Sequence, residues 1–480
     1  MDSIILRIVR LRVDIDGKEI LKDISFEIKR GEQWAIFGET GSGKTIFAHV
    51  LAGHQAHQGH VFFPAQDPHN PVNLVVVVDR QHRFRDLRNQ QNFYYQQRYN
   101  AIDSETTITV AEDLHSYEES GRSNFTKTGL VEKFQLNALL NEPLIQLSNG
   151  ENKRLQILKA VLISPELLIL DEPYTGLDAE GRHLLDGILS ALADSGQHLI
   201  LLSSRDHVPD CFNRYARLKD GLLIQSEFAV GVQINVPVGR PAVNPFPSAI
   251  FFPKPDFEYA VRMKDVHVRY QGKMVLDGIS WDLKKGACCA LTGHNGAGKS
   301  TLLSLITGDN PQAYANEIYL FDRKRGTGES IWDIKQKIGF LSPELQLYFD
   351  PAATVYTTLA SGLFDTIGLF RQLSPSQEML VMDWLQFLDC KVYTSRLLNK
   401  LPAGIQRLIL LGRAMIKTPS LLILDEPCQG LDAAQTAFTL ELVDRYCGEY
   451  GASLIFVSHY ESDFPACITQ RLRLEKGRMV

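Results

Sequence analysis

Gly38-Glu39-Thr40-Gly41-Ser42-Gly43-Lys44-Thr45 is written a second time in the chain, as Gly293-His294-Asn295-Gly296-Ala297-Gly298-Lys299-Ser300, with Thr301 next. Each copy follows an apolar run, Trp34 to Phe37 or Cys288 to Leu291, and leads into a helical pattern. A glycine, four residues, then glycine, lysine and a hydroxyl between strand and helix is the layout of a phosphate loop, whose backbone N–H groups converge on an anion at the helix start. Lys44 and Lys299 are expected to reach the β- and γ-phosphates of ATP, and the hydroxyls of Thr45 and Ser300 to hold Mg2+.

A second motif recurs with the first. Leu167 to Leu170 ends in Asp171-Glu172-Pro173, and Leu421 to Leu424 ends in Asp425-Glu426-Pro427. The loop lysines are 255 positions apart and the aspartates 254. A carboxylate at the end of a buried strand is placed to hold the metal (Asp171, Asp425), and the next one (Glu172, Glu426) to polarise an attacking water. Upstream, Leu21 to Ile28 and Val275 to Leu283 alternate or cluster apolar residues as strands do. The expected fold class is α/β, with two P-loop NTPase domains in tandem. Residues 1–235 form the first and 257–480 the second. Between them, Val236 to Asp256 carries prolines 237, 241, 245, 247, 253 and 255, which disfavour helix interiors and central strands, and reads as a linker.

The 480 residues carry a formal charge of −6 and a pI near 6.1, so no global attraction to nucleic acid or an anionic membrane is implied. The longest apolar runs fall short of the ~18 to 20 residues of a membrane span, and Asp2, Arg7 and Arg10 do not suit a secretory leader. A cytoplasmic protein is expected, or one peripheral at the cytoplasmic face of the inner membrane. The seven cysteines include no C-x-x-C pair and are expected to be buried, reduced thiols. Histidines 54, 57 and 60, flanked by Gly53 and Gly59, read as a solvated loop rather than a metal site.

Leu147-Ser148-Asn149-Gly150-Glu151 lies, by its glycine, 21 residues before Asp171. With the loops Gly176-Leu177-Asp178 and Gly430-Leu431-Asp432 and with Ser458-His459 closing an apolar run, it resembles the signature set of ATP-binding-cassette ATPases over nearly the whole chain outside the linker. The resemblance implies that the two cassettes close head to tail on each other within one chain. Each ATP would lie between the phosphate loop of one half and the signature of the other. Site one then joins Lys44, Asp171 and Glu172 to Leu401-Pro402-Ala403-Gly404, which lacks the serine hydroxyl. Ser204 stands where the family has histidine, and Ile15 where it has the adenine-stacking aromatic. Site two joins Lys299, Asp425 and Glu426 to Ser148 and Gly150 and keeps Tyr270 and His459. Three losses fall on one site, so the two are expected to be unequal, with Glu426 and His459 catalytic in the stronger.

The family's glutamine-loop ligand is open in both halves: Gln81 is a candidate in the first, and Leu341-Ser342-Pro343-Glu344 occupies the place in the second. Arginines and aromatics interleave from Arg83 to Arg88 and from Phe93 to Tyr99. Such a tract could stack on single strands, but within this family the region faces a membrane partner, and no nucleic acid is expected. Thr307 to Gln312, Gly328 to Lys335 and Ser458 to Ile468 resemble the tandem ATP-binding proteins associated with bacterial molybdate uptake. That resemblance implies an integral-membrane permease partner and import of a molybdate-type anion. The alternative is a soluble cassette acting on ribosomes or in regulation. Translation-factor cassettes carry a long charged helical linker, unlike Val236 to Asp256, and excision-repair cassettes add zinc-binding cysteine pairs.

Overall fold

The computed structural model describes residues 4–15, 17–64, 75–79, 108–115, 127–144, 147, 149–204, 207–226, 246–247, 256–270, 272–347 and 349–480. They divide into two compact units, one made of the described residues up to Ser226 and one of those from Phe246 on.

The first unit opens with β1 (Ile4–Ile15), β2 (Lys18–Lys29), β3 (Trp34–Phe37), helix α1 (Lys44–Leu51), β4 (Gln58–Phe62) and β5 (Val75–Val78). Next come α2 (Val110–His115), α3 (Lys127–Lys133) and α4 (Asn149–Leu162). It ends with β6 (Leu167–Asp171), α5 (Ala179–Asp194), β7 (His198–Ser203), β8 (Arg214–Lys219) and β9 (Leu222–Ser226). One sheet runs β5-β6-β7-β3-β8-β9, parallel except for the edge strand β9; a smaller antiparallel sheet runs β2-β1-β4. His54 and His57 are exposed loop residues as expected, whereas His60 sits, exposed, on the edge strand β4.

The second unit repeats the plan. β10 (Tyr259–Tyr270), β11 (Lys273–Lys284), β12 (Cys288–Gly293), α6 (Lys299–Thr307), β13 (Glu317–Leu320) and β14 (Arg323–Lys324) come first. The middle holds α7 (Ile331–Lys335), β15 (Ile338–Leu341), α8 (Pro343–Leu347), α9 (Val355–Ser361), α10 (Pro375–Phe387) and α11 (Ala403–Met415). β16 (Leu421–Asp425), α12 (Ala433–Tyr450), β17 (Ser453–Val457), β18 (Gln470–Glu475) and β19 (Arg478–Met479) complete it. Its main sheet is β15-β16-β17-β12-β18-β19, beside an antiparallel sheet β11-β10-β13-β14.

Strands buried on both faces read as unbroken apolar runs, which is why Leu167 to Leu170 and Leu421 to Leu424 show no alternation. Side chains still alternate in direction. Leu167 and Ile169 enter a core with the antiparallel sheet and α1, while Leu168 and Leu170 enter a second core with α4 and α5. In the second unit Leu421 and Ile423 join one core, and Leu422 and Leu424 the other.

Phe246, inside the stretch expected to be linker, is 3% exposed and belongs to the second unit's core. Its ring lies 4.8 Å from that of Phe387, 5.6 Å from Tyr446 and 5.9 Å from Trp384. The prolines on either side bar regular structure but do not stop an aromatic from being buried.

Candidate nucleotide-binding and catalytic sites

β3 and β12 lie centrally in their sheets, and each phosphate loop leaves the carboxyl end of its strand, where α/β sheets bind ligands. The loop glycines are required by space and by backbone angle. Gly43 and Gly298 enter α1 and α6 at φ 103° and 102°. A Cβ on Gly38 would stand 2.7 Å from the Leu218 carbonyl oxygen, and one on Gly293 would collide with the Leu474 carbonyl. The cradles therefore exclude side chains and leave the backbone N–H groups to an anion.

Lys44 Nζ donates to the carbonyls of Gly38 (2.7 Å) and Glu39 (3.1 Å); Lys299 Nζ donates to those of Gly293 (2.6 Å) and His294 (3.0 Å). Each ammonium is thus curled over its own loop, ready to exchange carbonyls for phosphate oxygens. Thr45 Oγ1 donates to Asp171 Oδ2 at 2.6 Å, and Asp171 is 2% exposed. A hydroxyl and a buried carboxylate at this separation supply hard oxygen ligands of the kind Mg2+ takes. Asp425 holds the same strand-end position in the second unit.

The acidic residues that follow share an unusual backbone: Glu172 and Glu426 have φ of 47° and 50°. Each is pinned there by its own N–H, to Leu202 O (2.9 Å) and Val457 O (3.0 Å). The side chains face different groups. Glu172 Oε1 lies 3.6 Å from Lys44 Nζ, whereas Glu426 Oε1 lies 3.6 Å from His459 Nε2. Burial, and then the neighbouring Asp425 charge, push the Glu426 carboxyl up to about 8, against which Lys299 pulls it down. Raised in this way, the ionised form of Glu426 is a stronger base than an exposed glutamate, and it is the form that can accept a proton from water.

Sheet register equates the remaining positions. Two residues before each loop glycine, Ile36 pairs with Leu202 and Leu291 with Val457; two residues beyond those partners stand Ser204 and His459. The Ser204 hydroxyl is buried with no hydrogen-bond partner among the described residues. Ile15 and Tyr270 likewise close equivalent hairpins, opposite Lys18 and Lys273. Tyr270 is braced by the stretch after α6: Asn310 Nδ2 donates to its hydroxyl at 2.8 Å, and Gln312 bonds both backbone groups of Arg269.

Gly150 and Gly404 open α4 and α11. Pro402 starts α11 with no side-chain cap, and a Cβ on Gly404 would strike the Gln435 amide. Ser148, Gln81 and the Arg83 to Tyr99 tract lie outside the described residues.

One functional residue went unread in the sequence. Arg407, 2% exposed, donates to the carbonyls of Glu426 and Pro427 (the latter 3.1 Å) and to Gln346 Oε1 (3.2 Å). It ties the signature helix to the acidic turn. Lys153, also three residues past its signature glycine, donates to Asp79 O at 2.7 Å, just after β5. A basic residue at that spacing in both halves was the available signal.

Two phosphate loops, each backed by a strand-end acidic pair, define a tandem nucleotide hydrolase. The family model described as "ABC transporter" matches residues 21–175 and 276–429. The ABC transporter ATP-binding protein ModF of Escherichia coli is 35% identical over 93% of this chain and 91% of its own. An uncharacterized ABC transporter ATP-binding protein of Schizosaccharomyces pombe, C323.04, is 31% identical over 96% of both. The xylose import ATP-binding protein XylG of Thermoanaerobacter pseudethanolicus is 25% identical over 95% and 92%. A solved structure described as a model of ribosome-bound archaeal Pelota and ABCE1 covers 98% of this chain and 76% of that one with a TM-score of 0.62, at 18% identity, and so shares the fold. The chain belongs to the ATP-binding-cassette family, with two cassettes in tandem, and membership implies ATP binding with Mg2+ and ATP hydrolysis. Among the described residues, no helix is long and apolar enough to cross a membrane.

Proposed function

We propose that the chain couples one hydrolysing and one nucleotide-holding site to a separate integral-membrane permease. The observation that carries this reading is the exchange of an imidazole for a hydroxyl at one register position: His459 faces Glu426 across 3.6 Å, and Ser204 stands in its place in the first unit. Site two is the working site, with Lys299 and Ser300 on the phosphates and metal, Asp425 as metal ligand, and Tyr270 for adenine. Ser148 and Gly150 complete it by the family's pattern. Glu426 takes the water's proton while His459 holds the γ-phosphate and nucleophile in line. Site one keeps Lys44, Thr45, Asp171 and Glu172 and binds Mg-ATP, but lacks both the imidazole and a hydroxyl at Pro402. Losing such transition-state contacts costs several kcal/mol, so hydrolysis there runs at about a hundredth of site two or slower. ATP in site one then acts as a clamp. The test traps the protein in one turnover with radiolabelled ATP: long-lived ATP near one equivalent per chain is expected, and recovery of ADP alone rejects the clamp.

The permease half of the proposal is supported by the import function in the name of the xylose relative, and the cargo, a molybdate-type anion, by the resemblance set out above. The chain then works in the cytoplasm or at the inner face of the membrane. Cassette boundaries at 235 and 257 belong to the same proposal. Co-purification in mild detergent should yield an integral-membrane protein; recovery with ribosomal particles and no membrane protein would replace the transport reading with the soluble one.

A further inference from the structure

Three cysteines far apart in sequence meet in the second unit. Cys288 opens β12, Cys447 lies in the last turn of α12, and Cys467 is in the turn before β18; their sulfurs all lie within 4.8 Å of one another. Cys288 and Cys447 are 3% and 6% exposed, and Cys467 is half-buried.

The backbones that present them are held independently. Cys288 and Thr469 exchange two bonds, Cys288 N–H to Thr469 Oγ1 (3.2 Å) and Thr469 N–H to Cys288 O (2.8 Å). Asp444, one turn before Cys447 on the same helix, accepts the N–H groups of Ala466 (3.0 Å) and Cys467 (2.7 Å).

The internal repeat is a control. Gln33 precedes Trp34 as Cys288 precedes Cys289, and those neighbours pair with Arg214 and Gln470. Cys211 and Cys467 each stand three residues before these partners. Ala193 and Cys447 each lie fifteen residues past the capping aspartate of their helix, Asp178 or Asp432. The first unit therefore builds the same corner from Gln33, Ala193 and Cys211, with Ser190 for Asp444. This fold does not need a thiol triad there.

We propose that Cys288, Cys447 and Cys467 form a three-thiolate site for a thiophilic d10 cation, zinc or copper(I), at the end of the sheet remote from the phosphate loop. Metal–sulfur bonds of about 2.3 Å put sulfurs about 3.8 to 4 Å apart, so the triad closes by about an ångström at most. Binding forms three metal–sulfur bonds and releases the thiol protons to solvent. Copper(I) is satisfied by three thiolates, while zinc adds a water on the side where Cys467 is half-exposed. Asp444 is a positioning residue that aims Cys467. Cys288 and Gly293 are the two ends of β12, about 16 Å apart at strand rise, so the ATP site is untouched.

The test uses the full chain, purified reduced and metal-free, then offered Zn2+ or Cu+ against a chromophoric chelator and read by elemental analysis and native mass spectrometry. Wild type and Cys390→Ala should retain about one equivalent, Cys467→Ser none, and Asp444→Asn should bind about tenfold more weakly. Co2+ loading should give sulfur-to-metal charge-transfer absorption in wild type that Cys467→Ser lacks. The ion held more tightly against the chelator identifies which of the two the site takes. Wild type that holds no more metal than Cys467→Ser overturns the proposal, as does a disulfide mass, short by a pair of hydrogens, in place of metal. Because the wild-type count decides, a variant that misfolds does not rescue it.

Discussion

Glu426 and Glu172 share a backbone angle and a tethering hydrogen bond, so a difference between them must come from what their side chains face. Glu426→Gln keeps the shape and the phosphate contacts but removes the basic oxygen that lies 3.6 Å from His459 Nε2. ATP turnover on purified protein should fall by about a hundredfold or more, with nucleotide binding retained. Glu172→Gln should lower it by less than about tenfold. Equal losses would end the case for inequality. Elsewhere in the second unit, Lys417 is 2% exposed, donates to Lys335 O at 2.6 Å and pairs with Asp365 at 3.4 Å, beside Arg413. Burial outweighs Asp365 and, helped by Arg413, lowers its amine to about 8 from 10.5. Between those values the unfolded chain holds a proton that the folded one has released, so this group adds stability as pH rises from 8 to 10.5 and withdraws it as pH falls through 8. Melting temperatures across that range should show the rise in wild type and a flatter profile in Lys417→Met.

At the scale of elements, α11 begins without a cap because proline stands where a serine would accept a backbone N–H. Pro402→Ser should stabilise the second unit by about 0.5 to 1 kcal/mol, read as a higher melting temperature. It should also raise slow-phase ATP hydrolysis if the hydroxyl serves site one; no change in that phase would confine the residue to helix capping. Phosphate loops and acidic turns were legible because their backbones admit few residues: glycine where φ is near 100°, a carboxylate where a buried strand ends. The Ser204 and His459 exchange could be aligned for the same reason. Arg407 was harder to read, because it acts through carbonyls, which every residue possesses, and only the spacing it shares with Lys153 marked it. The cysteine triad could not be read, because its members come from a strand, a helix and a turn and become neighbours only when the sheet and α12 are in place.

For the whole molecule, two units with separate cores predict that each half expressed alone folds and binds nucleotide. Circular dichroism showing either half unfolded would move the proposed boundary. The second half should be cut upstream of Phe246, since removing that ring leaves a hole among Trp384, Phe387 and Tyr446 and costs about 3 to 5 kcal/mol. Composition alone labelled the surrounding stretch a linker, and a single buried aromatic among prolines carries no periodicity to say otherwise.

Phe246 works as a mooring: in the sequence, what lies upstream of it connects one unit to the next, and what lies downstream connects two points of the second unit. About ten glycine and serine residues inserted between 236 and 245 should dilute one unit with respect to the other and slow steady-state ATP turnover. The same insert between 247 and 256 only enlarges a loop whose two ends are already fastened to one body, at about 0.6 kcal/mol per doubling of length, and turnover should hold. Two inserts of identical composition, placed a few residues apart, would then differ in outcome because one ring is buried between them.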